Sequence, residues 1–210
     1  MYVKNKMTSR PFTVTAETSV SDAFKTMKEH SIKKLPVMDG DKLVGIVSRT
    51  DLQQASPSKA TTLSVFEINY MLSKLTVADA MTKDPITINE NALLEEAAVV
   101  MREQSIRCLP VMNNAGKLCG IITETDIFDA FIEMMGFGDK GSRISAQAED
   151  DPGALSEMTR IISEFGANIS HVVVYSSSGT TSEIVLRINS ADSEPIEKAL
   201  EENGFKITRA

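Results

Sequence analysis

Apolar and polar positions divide the chain into short elements whose order repeats. PFTVT (11–15) alternates as a strand, and VSDAFKTMKEH (20–30) sets Val20, Ala23, Phe24 and Met27 on one helical face. LPVMD and KLVGIVS run apolar on either side of Asp39-Gly40, a hairpin signal, and Ser48-Arg49-Thr50-Asp51 starts a second helix. The β-α-β-β-α order then returns as PITIN, LLEEAAVVMREQ, LPVM, KLCGIIT and ETDIFDAFIEMM.

The return is an internal repeat. IKKLPVMDGDKLVGIVSRTDL (32–52) is matched by IRCLPVMNNAGKLCGIITETDI (106–127), with one residue inserted in the turn. Met7-Thr8, Pro11, Thr13, Ala23 and Met27 recur 74 residues later as Met81-Thr82, Pro85, Thr87, Ala97 and Met101. A copy of about 50 residues is too small to bury both faces of its sheet. The two are therefore expected to pack together about a pseudo-twofold axis. Between them, Ser64-Val65-Phe66-Glu67 is a capping-box signature opening a helix with Val65, Ile68, Leu72 and Leu75 on one stripe. That stripe packs either on its own domain or against a partner.

Beyond Met135 the pattern changes. GFGDKGS reads as a hinge, and RISAQAE as a strand. Asp151-Pro152-Gly153 then opens a helix through LSEMTRIISEF, with Asp151 ahead of a proline at the first helical position and Gly166 as the stop. A hairpin (NISHVVVYSSSGTTSEIVLRIN), a helix (SEPIEKALEEN) stopped at Gly204, and FKITR complete a β-α-β-β-α-β, ferredoxin-like order. The expected fold class is α+β. Its divisions are 1–60 and 76–135 for the repeats, 61–75 for the inter-repeat helix, 136–142 for the hinge and 143–210 for the last domain.

Composition adds exclusions. With 42% hydrophobic and 24% charged residues in 210, the chain has an ordinary globular balance. It has neither an apolar run of about 18 residues nor a signal-peptide core at MYVKNKMTSRPF, so no membrane span or export is expected and the cytoplasm is the expected compartment. A net charge of -7 argues against a general nucleic-acid or anionic-membrane surface but leaves room for local basic pockets. Cys108 and Cys119 are read as small core thiols rather than a disulfide or metal pair. His30 and His171 fall in different modules, and no Walker or Rossmann loop is present. No catalytic residue, metal site or enzymatic activity is expected.

The candidate chemistry lies in the repeats. Ser48 and Thr123 each end a strand three residues before Asp51 and Asp126 at a helix start. A carboxylate there can accept both hydroxyls of a ribose, while the hydroxyl and the helix amides face a phosphate. The same spacing is also a capping box, which would engage these residues only in holding the helix. Lys33, Lys34 and Arg107 are the cations placed to meet phosphate. The copies diverge here: Cys108 stands where the first has Lys34, and Glu124 where it has Arg49. Two related clefts are expected, the first more basic and the second suited to fewer phosphates, a nucleoside-like ligand or none.

With these residues in view, LPVMDGDKLVGIVSRTD and LPVMNNAGKLCGIITETD resemble tandem CBS domains, the Bateman module of ligand-sensing proteins, over about residues 1–135. DPGAL, FGANI and ENGFKI resemble an ACT domain over roughly 143–210. The CBS-CBS-ACT order is most similar to the acetoin-utilization B family of small bacterial regulatory proteins. The resemblance implies that Ser48, Asp51, Thr123 and Asp126 form ribose-phosphate sites, with Thr13 and Thr87 toward the base and Lys33, Lys34 and Arg107 toward phosphate. The implied ligand is an adenine nucleotide such as AMP or ATP, or S-adenosylmethionine, acting as a regulatory ligand rather than a cofactor. In amino-acid-binding ACT relatives, the segments matching Asp151, Gly153, Ala154, Asn168 and Ile169 frame a ligand between paired domains; other ACT domains serve mainly for dimerisation. The expected function is a non-enzymatic sensor, the alternative being an interaction protein with vestigial sites whose role is fixed dimerisation. Both imply a homodimer or larger.

Overall fold

In both repeats a hairpin forms where two apolar runs meet a tight turn. β2 (Lys34–Asp39) and β3 (Lys42–Ser48) pair around Gly40, whose φ of 56° suits a residue without a Cβ. β6 (Cys108–Met112) and β7 (Leu118–Thr123) pair likewise, and each hairpin has a bulge at the same place, Val37/Met38 and Val111/Met112. In this computed structural model residues 1–56, 64, 70, 74–176 and 180–208 are described. They divide into two units, Met1–Phe128 and Asp129–Ala210.

The first unit contains both repeats. The helix of the first is α1 (Val20–Glu29), capped by Ser19 accepting from the Asp22 N–H, with Val20, Ala23 and Met27 buried. α2 (Arg49–Ala55) follows β3. In the second, α3 (Leu94–Glu103) and α4 (Glu124–Met134) take the equivalent places, and α4 continues into the second unit. The expected helix at 61–75 lies outside the described residues except for Ser64, Tyr70, Lys74 and Leu75; Leu75 packs against the first repeat's core.

Each repeat completes its sheet with a strand from the sequence ahead of the other. β1 (Thr8–Ser9) pairs with β7 of the second repeat, and β4 (Thr82–Lys83) with β3 of the first. The segments ahead of them cross over too: Val3 donates to the Ala92 carbonyl at 2.9 Å, and Val77 to the Thr18 carbonyl at 2.8 Å. Val3 and Val77, 74 residues apart, both have 0% exposure, and Val77 belongs to the first repeat's core. The returning strands need bare backbone to lie on. A Cβ on Gly45 would come within 2.6 Å of the Met81 sulfur, and one on Gly120 would collide with the Met7 sulfur.

After each exchanged strand the chain crosses back. PFTVT, expected to be a strand, makes only one isolated parallel bridge, Val14 to Val37. Its counterpart β5 (Ile88–Asn89) is a two-residue parallel strand on β6. Both are short because residues 10–13 and 84–87 are spent changing sheets. Arg10 and Asp84 turn the chain with φ of 51° and 46°, each just before a proline.

The second unit is a four-stranded antiparallel sheet in the order β11-β8-β10-β9, from β8 (Ser142–Glu149), β9 (Ile169–Ser176), β10 (Thr181–Ile188) and β11 (Lys206–Ile207). α5 (Ala154–Glu164) and α6 (Glu194–Glu202) contribute to its core through Met158, Ile161, Ile162, Ile196 and Leu200, against Ile144, Ala146, Ile184, Leu186 and Ile188. The fold is α+β. One expected helix start is corrected: the N-cap of α5 is Gly153, at φ 101°, not Asp151 ahead of a helical proline. A turn closed by the Ala154 N–H on the Asp151 carbonyl at 3.2 Å absorbs Pro152 first. Residues 135–141 lie along this sheet: Arg187 Nε donates to the Met135 carbonyl at 3.1 Å, and His171 Nδ1 is 3.4 Å from Asp139.

Reciprocal exchange makes Val3 and Val77 equivalent core residues. Val3→Ala and Val77→Ala should each lower stability, by about 1–3 kcal/mol, the range for burying a valine side chain. Urea unfolding of the two variants measures this; no loss for Val3→Ala would show that the N-terminal segment does not hold the second repeat.

Candidate functional site

Each hairpin delivers its last residue to a helix start. Ser48 ends β3 and caps α2: its N–H donates to Asp51 Oδ2 at 2.8 Å, and the Asp51 N–H returns a bond to Ser48 Oγ at 3.2 Å. Thr123 does the same for α4, with its N–H 2.7 Å and its hydroxyl 2.8 Å from Asp126 Oδ2, and the Asp126 N–H 3.4 Å from Thr123 Oγ1. The capping geometry is therefore present in both copies. It uses one oxygen of each carboxylate; among the described residues, Oδ1 of Asp51 and Asp126 accepts no hydrogen bond. The Lys33 carbonyl takes the Arg49 N–H at 2.8 Å, and the Arg107 carbonyl takes the Glu124 N–H at 3.3 Å. These bonds tie the basic positions to the same helix starts.

The two caps open onto one space. A cleft of about 1380 Å³ is lined by Lys33, Lys34, Ser48 and Asp51 of the first repeat and by Arg107, Thr123 and Asp126 of the second. The two clefts expected from the sequence are thus one continuous cleft. Thr13 and Thr87 are exposed and lie off its lining; the preceding residues, Phe12 and Ile86, line it instead. Phe12 stacks on His30 with ring centroids 3.6 Å apart, and Ile32, Ile46, Ile106 and Ile121 add apolar wall. These positions carry no ligand expectation from the sequence. Their signal was there: Pro11-Phe12 and Pro85-Ile86 occupy the same repeat positions, and the exchange brings both crossovers to the cleft.

The exchange also redistributes charge. Arg10 follows β1 and donates its N–H to the Cys119 carbonyl on β7, while Asp84 follows β4 and donates to the Val44 carbonyl on β3. Both line the cleft. The first repeat's sheet therefore presents Lys33 and Arg49 with Asp51 and Asp84, and the second presents Arg10 and Arg107 with Glu124 and Asp126. Arg107 and Glu124 form an ion pair at 3.7 Å with side chains 80% and 44% exposed, a weak attraction in water. Lys34 stands apart from this balance. Burial pulls its pKa below the ordinary lysine value; Cys108, Glu124 and Asp51 oppose the fall and Arg107 adds to it.

Cys108 and Cys119 are free thiols. Burial pushes Cys108 up to about 12, with Lys34 opposing. Among the described residues no cluster of three or more His, Cys, Asp or Glu is placed to hold a metal ion, and no helix is long and apolar enough to cross a membrane. In the second unit Gly153 heads α5 with open space where a Cβ would stand, while Asp151 is exposed. Ala154 and Ile169 pack on the core. The Asn168 N–H donates to Asn189 Oδ1 at 2.8 Å, and its carbonyl takes the Asn189 N–H at 3.0 Å. These five residues thus flank the start of α5 and the entry to β9.

Comparison with known proteins follows the two units. The CBS domain family model matches residues 3–58 and 77–133, and the ACT domain model matches 142–205. The chain is 40% identical over 116 residues to the inosine-5'-monophosphate dehydrogenase of Korarchaeum cryptofilum, covering 55% of this chain but 21% of that one, so it spans about a fifth of that relative. The crystal structure of CBSX2 from Arabidopsis thaliana in complex with AMP is similar at a TM-score of 0.53 and 34% identity, covering 63% of this chain and 97% of that one. An acetoin utilization protein (AcuB) from Vibrio cholerae is similar at a TM-score of 0.53 and 29% identity, covering 65% of this chain and 93% of that one.

The raised Cys108 pKa has a signed consequence. Burial favours the neutral thiol, so its contribution to stability is full below the unfolded value near 9 and is lost as the pH climbs to about 12. The stability gap between wild type and Cys108→Ala, read by urea unfolding, should shift against the wild type across that window. A gap constant with pH would contradict the burial assigned to the thiol.

Proposed function

Since the chain belongs to the CBS domain family and carries an ACT domain after its CBS pair, we propose that it is a non-enzymatic sensor binding an adenine nucleotide or adenosyl ligand in the CBS cleft. One observation carries this reading: both helix caps, at Ser48/Asp51 and Thr123/Asp126, open onto the same cleft with one carboxylate oxygen to spare. A free carboxylate oxygen suits a ribose diol, the cations around it suit phosphate, and the Phe12–His30 stack and isoleucine walls suit a base. The AMP bound by CBSX2 supports the ligand class. Thr13 and Thr87 are assigned no ligand role, because they lie off the lining.

Thermal unfolding with AMP, ADP, ATP, S-adenosylmethionine and amino acids tests the proposal, since a ligand that binds only the folded protein raises its stability in proportion to ln(1 + [L]/Kd). A rise with an adenosyl compound is expected. A flat panel would favour the alternative, an interaction protein whose caps do structural work alone. The amino acids in the panel ask whether Asp151, Gly153, Ala154, Asn168 and Ile169 also receive a ligand. Asp51→Ala should weaken AMP binding by about 1–3 kcal/mol, the worth of charge-assisted hydrogen bonds. Unchanged calorimetric affinity with lowered stability would return Asp51 to capping alone.

The ACT unit is proposed to pair two copies. β9 is an edge strand, and Val172, Val174 and Tyr175 on it are exposed. Phe128, Phe131 and Ile132 leave a further apolar stripe on α4. Sedimentation at roughly tens of micromolar should give a homodimer or larger assembly; a monomer would remove pairing from the proposal.

A further inference from the structure

Lys34 and Cys108 occupy one position of the repeat, 74 residues apart. Each is paired across its hairpin with the residue that caps the next helix, Lys34 with Ser48 and Cys108 with Thr123. Both line the cleft, and their surroundings interlock: Cys108, Glu124, Arg107 and Asp51 act on Lys34, while Lys34 and Asp126 act on Cys108. The two equivalent positions therefore share one cleft and lie close enough to act on each other electrostatically. The other charges balance on each side, Lys33 and Arg49 against Asp51 and Asp84, Arg10 and Arg107 against Glu124 and Asp126. Lys33, Arg49 and Arg107 are exposed, whereas Lys34 is half-buried. Lys34, whose repeat mate is the neutral Cys108, is thus the cation left over between two half-sites whose remaining charges each sum to zero.

We propose that the two half-sites of the cleft share Lys34 as a single phosphate-binding group, so that one nucleoside monophosphate bound in either half weakens the binding of a second. This rests on the functional reading above and adds how the two halves are coupled. The half that binds first places its phosphate against the Lys34 ammonium. The second ligand finds the neutral Cys108 thiol in the place where its own lysine would stand, and the phosphate already bound repels its own. A nucleoside without a phosphate makes no demand on Lys34, so it fills the halves without this penalty.

Calorimetric titration of the intact protein with AMP and with adenosine tests the coupling. With AMP we expect one tight site per chain and a second roughly ten- to hundredfold weaker, the size of one charge-assisted hydrogen bond. With adenosine the two sites should be of similar affinity. Lys34→Gln should bring the first AMP site down to the level of adenosine, and Cys108→Lys should bring the second AMP site toward the first. Should Cys108→Lys fail to fold, the wild-type and Lys34→Gln titrations decide the matter. Two equal AMP sites in the wild type, or the same inequality with adenosine, would overturn the shared lysine while leaving nucleotide sensing intact. Absence of heat with both ligands would overturn the sensing reading, and the coupling with it.

Discussion

The exchange of edge strands between the repeats underlies the rest of the first unit. Neither hairpin has a third strand of its own beside its second strand. β7 receives β1 from the segment ahead of the first repeat, and β3 receives β4 from the segment ahead of the second. Buried valines, Val3 and Val77, anchor the two segments. Each must then cross back to its own repeat, and the crossings run along the cleft. Four residues of the cleft wall have left-handed backbone without being glycine: Arg10 and Asp84, then Ser31 and Ser105, each pair 74 residues apart. Such conformations cost about 1–3 kcal/mol each. Their recurrence in both copies shows that the path, rather than a local accident, demands them.

Capping occupies only one oxygen of each of the two helix-start carboxylates. Asp51 and Asp126 each close a helix start through Oδ2, which also fixes the direction of the second oxygen. A carboxylate already oriented by its helix has less rotational freedom to lose on meeting a ligand. The scaffold repeats this arrangement faithfully while the side chains around it do not, with Lys34 against Cys108, Arg49 against Glu124 and Arg10 against Asp84. The backbone is close to symmetric, and the electrostatics are not.

Much of this was legible in the sequence because the signals are local. The hairpins at Asp39-Gly40 and Asn113–Gly116, the apolar face of Val20, Ala23 and Met27, and the β-α-β-β-α-β order after Met135 all depend on residues close in sequence. The exchange was not legible, since pairing Thr8 with Ile121 leaves no periodic trace in either segment. The resemblance pointed Thr13 and Thr87 toward the base, whereas Phe12 and Ile86 line the cleft; and the two clefts expected from the repeats are one. The charge arrangement is equally non-local: Arg10 precedes the hairpin of the first repeat and Asp84 that of the second, but their backbones pair with β7 and β3 respectively. The cap of α5 was misplaced for a smaller reason. Proline after aspartate is a good helix opening, but Gly153 at φ 101° shows that the turn ends before the helix begins.

A chain is made from one end, and the exchange sets an order on its completion. β1 at Thr8–Ser9 has no strand to lie on until β7, ending at Thr123, has emerged, whereas β4 meets β3 as soon as residue 83 is available. The first repeat can close its sheet early, while Val3 waits through more than a hundred residues of synthesis for the core that buries it. Contacts so distant in sequence form slowly. Until they form, the growing chain carries Val3 without its core and β1 without its partner, exposed groups of the kind on which chaperones act and aggregation begins.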